Sequence, residues 1–110
     1  MARAPVSAVN RPRFKVHGLH LVARLVPEDT VAVRVYCSRG GLIRYGRVVA
    51  RGDGRDPNAK TTRQLPPLGS IVVFEDDPEC GPGHEVVVAD VSYRIMTLDD
   101  VSLAFIPPTR

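Results

Sequence analysis

Apolar and polar residues along this chain recur in short runs at a period of two, and no segment carries the i, i+3, i+4 spacing of an amphipathic helix. Val16 to Val26 contains the run Leu19-His20-Leu21-Val22-Ala23-Arg24-Leu25-Val26, which Pro27-Glu28-Asp29 breaks. Thr30 to Tyr36 alternates well, with Val31, Val33 and Val35 on one face and Ala32 and Arg34 on the other. Ser38-Arg39-Gly40-Gly41 reads as a turn or flexible loop, followed by the apolar pair Leu42-Ile43 and a strand over Gly46 to Ala50. Gly52-Asp53-Gly54 is a strong turn signal. Asp56 to Pro67 reads as a long hairpin or excursion, and Ile71 to Phe74 as a continuous apolar strand. Glu75 to Gly83 reads as an acidic loop. Glu85 to Val91 and Tyr93 to Met96 are two more strands, Leu98-Asp99-Asp100 is a turn or single helical turn, and Val101 to Ile106 is the last strand. Short strands at short spacing predict an all-β barrel or sandwich.

Composition narrows this picture. The chain has 110 residues, enough for one domain. Residues 1–15 are basic, proline-bearing and aperiodic, and read as a flexible N-terminal extension to a domain spanning 16–110. Charge is unevenly spread: residues 1–63 carry 13 Lys or Arg and 4 Asp or Glu, against 2 and 8 in residues 64–110. Opposite halves of this kind can meet within a fold or across subunits, and a basic half can also meet nucleic acid. Two cysteines, Cys37 and Cys80, make no disulfide framework. No charged start leads into a signal-peptide core, and no apolar run approaches the ~18 residues of a membrane span, so the expected compartment is the cytoplasm, with no membrane partner.

Few residue clusters point to chemistry. There is no nucleophile elbow, Walker or dinucleotide motif. His17, His20, Cys80 and His84 have ligand types acceptable to zinc but lack C-x-x-C spacing. Glu75, Asp76, Asp77 and Glu79 could meet a hard cation but have no regular ligand spacing, and Asp99-Asp100 is better read as stabilising a turn. No catalytic or metal site is therefore expected. Arg39, Arg44, Arg47 and Arg51, with Tyr36 and Tyr45, could form a basic, aromatic patch that tracks single-stranded nucleic acid on an OB-like barrel. Gly40-Gly41-Leu42-Ile43 has a different character: two glycines give a backbone that can be reshaped on binding, and two aliphatics offer a small apolar anchor. Such sites bind weakly alone and tightly when repeated around a ring.

Several segments taken in order carry a resemblance. Gly46 to Arg55 ends a strand in a G-x-G-R turn, Leu68-Gly69-Ser70-Ile71-Val72-Val73-Phe74 looks like a V-G-D-x-V-x-F strand with Ser70 in place of Asp, and Tyr93 to Ile106 is a strand, an acidic turn and a last strand. Over roughly residues 25–106 this order resembles the GroES-like co-chaperonins (the chaperonin-10 family). The resemblance implies a small irregular β-barrel with a roof hairpin, over Asp56 to Gln64 and including Asp56, Pro57, Asn58, Lys60 and Arg63. It also implies a flexible loop in which Gly40, Gly41, Leu42 and Ile43 dock on a large chaperonin ring, with Arg44 in place of a third aliphatic. The implied partners are that chaperonin, other copies of this chain in a heptamer, and an unfolded client. No cofactor is implied, since ATP would be bound by the chaperonin. Two registers are open: Thr30 to Val35 as the first core strand, with a short loop, which the alternation favours; or Gly18-Leu19-His20 beginning that strand, with residues 27–43 as a longer loop. An OB-like nucleic-acid binder and a structural ring or virion adaptor are the alternative functions.

Overall fold

The structure is a computed structural model and describes residues 13–28, 31, 35, 42–76 and 83–107. Eight strands follow one another: β1 (His20–Val26), β2 (Leu42–Arg51), β3 (Arg55–Asp56), β4 (Thr61–Thr62), β5 (Ile71–Asp76), β6 (His84–Val88), β7 (Val91–Thr97) and β8 (Leu103–Phe105). A single 3-10 turn, Leu98–Asp100, joins β7 to β8. The all-β expectation holds. Six strands form one antiparallel sheet in the order β6-β7-β1-β2-β5-β8, and β3 and β4 form a separate ribbon. Among the described residues β6 and β8 end the sheet without pairing to each other, so hydrogen bonds do not close it into a full barrel.

The sheet nevertheless curls onto itself. Leu21, Ala23, Val48, Val72, Phe74 and Met96 form one buried cluster contributed by four strands, with Leu25 and Val101 packed against it. Strand parity puts these residues on one face: Leu21 pairs with Met96, Ala23 with Val48, and Gly46 with Val72. Among the described residues no helix or second sheet lies over that face, so its side chains reach 0–2% exposure by packing on one another inside the curl. Burying one of them fully, such as Phe74, contributes about 1.5–3 kcal/mol. A β-bulge assists the curvature: Val22 pairs with Ala50 but Ala23 pairs with Val48, which leaves Val49 as the extra residue. Gly46 sits on the inner face where a Cβ would come within 2.7 Å of the Ala23 Cβ, so the closest approach of β1 and β2 requires glycine there.

The outer face has its own cluster, Tyr45, Ile71 and Val73, with Val26, Ile43 and Phe105 alongside. Val31 and Val35 pack on it from the segment between β1 and β2, and the Val35 N–H donates to the Tyr45 hydroxyl oxygen at 2.9 Å. This corrects the favoured register. The first core strand is β1, beginning at His20, and of Thr30 to Tyr36 only Val31 and Val35 lie within the described residues, both outside any strand. Val31 and Val35 serve packing against a sheet face, and the rest of Thr30 to Tyr36 lies outside the described residues.

The N-terminal residues 1–12 lie outside the described part, but Phe14 packs edge-on against Tyr93 with ring centroids 5.1 Å apart. The β6–β7 connection is a two-residue loop: Val88 pairs with Val91, and Ala89 and Asp90 both take positive φ, 50° and 64°. That is the geometry of a type I′ hairpin turn.

Candidate functional site

Two excursions leave opposite ends of the β1–β2 ladder. Val26 pairs with Tyr45 at one end and Leu21 with Arg51 at the other, about 17 Å along the strands. Residues 27–41 depart from the first end and the β3–β4 ribbon from the second.

At the first end the four docking candidates separate. Gly40 and Gly41 lie outside the described residues. Leu42 and Ile43 are the first two residues of β2, paired with Asp76 and Glu75, and so belong to a strand and not to the loop expected for them. Leu42 is 55% exposed, whereas Ile43 packs against the Tyr45, Ile71 and Val73 cluster. Leu42 is thus available to a partner, and Ile43 is a foot that holds the strand to the outer face.

Beside Leu42, on the inner face, lies an ion cluster that the sequence reading placed in an acidic loop. Asp76 is the last residue of β5, not part of a loop, and with Val72 and Phe74 it points into the curl. Arg94 of β7 forks onto it, Nη1 donating to Oδ1 at 3.1 Å and Nη2 to Oδ2 at 3.2 Å. Arg44 of β2 donates from Nε to Oδ2 at 3.2 Å. The Arg94 and Asp76 side chains are only 9% and 13% exposed, and the Arg94 guanidinium carbon lies 5.6 Å from the centre of the Phe74 ring. The hydrogen bond from Arg94 is the largest influence on Asp76; burial partly opposes it, Arg44 adds to it, and the carboxyl is held below its ordinary value of 3.8. The arrangement is a charged clasp between β7 and β5, two strands that the sheet order keeps apart.

At the other end, the chain over Asp56 to Gln64 folds as a hairpin on the β3–β4 ribbon. Asp56 Oδ1 accepts the Asn58 and Ala59 N–H groups, and the Lys60 N–H returns to the Asp56 carbonyl at 2.9 Å. Pro57 and Asn58 lie in the tip and Lys60 adopts φ 53°. The base is tied to the sheet: the Gly54 N–H donates to Gly18 O, the Arg63 N–H donates to Gly54 O, and Arg63 Nη1 bonds Asp99 Oδ1 at 3.1 Å. Gly54 has φ +83°, and a Cβ there would collide with the Arg63 carbonyl oxygen. Asp99 and Asp100 diverge: Asp100 Oδ2 accepts the Thr97 N–H and hydroxyl and stabilises the turn as expected, whereas Asp99 reaches across to Arg63. Against the hairpin lies an open cavity of about 550 Å3 lined by His17, His20, Asp53, Asp56 and Asp99 among others. Its carboxylates are engaged: Asp53 accepts the Arg55 N–H, Asp56 holds the hairpin turn, and Asp99 pairs with Arg63.

Among the described residues the proposed basic patch does not assemble. Arg39 and Tyr36 lie outside the described residues. Arg44 turns inward to Asp76, Arg47 lies on the outer face with Nη1 donating to Gly69 O, and Arg51 donates to the Leu65 and Pro66 carbonyls. Tyr45 is 2% exposed and offers no face for stacking. Of the zinc candidates, Cys80 lies outside the described residues; His20 Nδ1 sits 3.2 Å from the His17 carbonyl oxygen, and His84 is on β6. Among the described residues no group of three or more His, Cys, Asp or Glu is placed to hold a metal ion, and no helix is long and apolar enough to cross a membrane. Asp77 and Glu79 also lie outside the described residues. No protein-family model matches this chain, and no curated protein sequence is significantly similar to it.

Proposed function

We propose that this chain is the subunit of a ring-forming co-chaperonin that caps an ATP-driven chaperonin and encloses a folding client, performing no chemistry itself. One observation carries the reading: exposed Leu42, which follows Gly40-Gly41 in sequence, starts β2 at one end of the β1–β2 ladder, and a polar hairpin leaves the other end. In a ring of such subunits every docking segment faces one side and every hairpin the other. Leu42, 55% exposed, is the apolar anchor in this reading. Burying one leucine contributes about 1.5–2 kcal/mol, too little for a single site and enough when repeated in one assembly. Gly40 and Gly41 supply the conformational freedom that a segment ordered on binding requires.

The test is size-exclusion chromatography with light scattering, run on the protein alone and with its host's chaperonin plus ATP. A ring that co-elutes only with nucleotide present supports the proposal, and Leu42→Asp should abolish co-elution while the ring persists. Unchanged co-elution of Leu42→Asp removes Leu42 as the anchor. A ring that never co-elutes points instead to a structural adaptor.

A further inference from the structure

The geometry points to a binding site for an organic phosphate monoester on the outer face of the sheet, with Arg24 and Arg47 as its anion clamp. These arginines are directly opposite each other across the β1–β2 ladder, and both are exposed. Like charges in that relation are destabilising, and their Cβ atoms stand about 5 Å apart, close enough for both guanidiniums to reach one anion. Among the described residues no carboxylate forms an ion pair with either. Their row across the sheet continues through Tyr93 on one side and Ile71 on the other. The outer-face carboxylate of β5, Glu75, is four residues farther along, about 13 Å away. Arg47 keeps one side-chain contact, Nη1 to Gly69 O at 3.1 Å, which orients its fork, and among the described residues the Arg24 side chain makes no hydrogen bond or ion pair.

A cavity of about 420 Å3 lies against the pair, walled by Phe14, Val49, Leu68 and Tyr93. Its size falls at the small end of ligand pockets, room for one anionic head and one flat apolar body. Leu68 is 61% exposed and Val49, thrown outward by the bulge, 37%. Phosphate suits the clamp better than carboxylate. Beyond the one given to Gly69 O, the two guanidiniums have about nine N–H donors, and a phosphate monoester offers three terminal oxygens and a charge near −2 at neutral pH, matching two cations. The body of the ligand lies against Phe14 and Leu68. The site lies apart from Leu42 and does not depend on the chaperonin reading.

The probe is phenyl phosphate, titrated into the 15N-labelled full-length chain while the arginine Nε–Hε and aromatic resonances are followed by NMR. Saturable shifts at Arg24, Arg47 and Phe14 are expected, with inorganic phosphate and benzoate each binding at least about tenfold more weakly. Arg24→Gln should weaken phenyl phosphate by about tenfold or more, Arg24→Lys by a smaller factor because the charge stays and the planar fork goes, and Arg51→Gln not at all. Amide dispersion confirms that each variant is folded. The proposal is overturned by absence of saturable shifts to about 10 mM, or by equal affinity of wild type and Arg24→Gln. Benzoate binding as tightly as phenyl phosphate overturns the assignment to phosphate.

Discussion

Replacing Asp76 by alanine takes away the carboxylate that holds Arg94 inside the curl. The Arg94 side chain is 9% exposed and lies over Phe74, so it cannot swing into water without opening the inner core. Removing one partner of a buried pair costs about 3–5 kcal/mol because the other charge stays desolvated. The clasp is at one edge of the core and the Arg44 side chain is 45% exposed, so its bond adds well under 1 kcal/mol and the lower end applies. The expected cost is about 3 kcal/mol, a large share of the ~5–15 kcal/mol that holds a domain together. Urea denaturation followed by circular dichroism reads it directly: with a slope near 1.5 kcal/mol per M, the midpoint falls by about 2 M. Asp76→Leu combined with Arg94→Met replaces the pair by apolar groups and should recover most of the loss. The sign of the pH dependence follows from the depressed carboxyl. Its stabilisation is complete above the ordinary value of 3.8 and is lost as pH falls through the lower folded value. The gap between wild type and Asp76→Ala should therefore be flat from about pH 7 to 5 and close in stronger acid. A cost below about 1 kcal/mol, or a double variant as unstable as Asp76→Ala, would refute the view that the clasp is desolvated.

Other positions give sharp expectations. Gly54→Ala forces a Cβ into the Arg63 carbonyl at φ +83° and should cost at least about 1–2 kcal/mol, with loss of hydrogen-exchange protection at the Arg63 amide. Tyr45→Phe deprives the Val35 N–H of its acceptor and should cost about 1 kcal/mol, with faster exchange at that amide. Ile43→Asp puts a charge against Tyr45, Ile71 and Val73 and should lower stability by about 2–4 kcal/mol, whereas Leu42→Asp should leave it within about 0.5 kcal/mol. Ala89→Asn with Asp90→Gly supplies the residues that two successive positive-φ positions favour, and should raise the urea midpoint by the equivalent of about 1 kcal/mol.

Strand parity explains what could be read from the sequence and what could not. β1, β5 and β7 were legible because Leu21-Val22-Ala23, Ile71 to Phe74 and Tyr93 to Met96 are apolar runs bounded by turn residues. Val31 and Val35 show why alternation is ambiguous: it records one-sided burial, and residues packed on a sheet face are buried on one side just as those of an edge strand are. The ion clasp was legible in principle: counting by two from Phe74 reaches Asp76, and counting back by two from Met96 reaches Arg94, so opposite charges fall on core-facing positions of two strands. The run Glu75-Asp76-Asp77 hid it, because consecutive acids read as a solvated loop. The same parity separates Arg44 from Arg47, which a linear view had joined into one patch. That the sheet bends far enough to bring β5 and β7 together is a tertiary outcome that no local pattern encodes.

The fifteen residues that separate the end of β1 at Val26 from the start of β2 at Leu42 have a consequence for how this protein can change over evolutionary time. A change of length between those bounds leaves the pairs of the β1–β2 register, the inner core and the clasp as they are, and each doubling of a flexible connection adds only about 0.6 kcal/mol of closure entropy. The reach of the segment ending at Leu42 can therefore drift to suit a new partner while the sheet stays the same. A one-residue change inside β2, by contrast, would reverse Arg44, Gly46 and Val48 onto the opposite face at once.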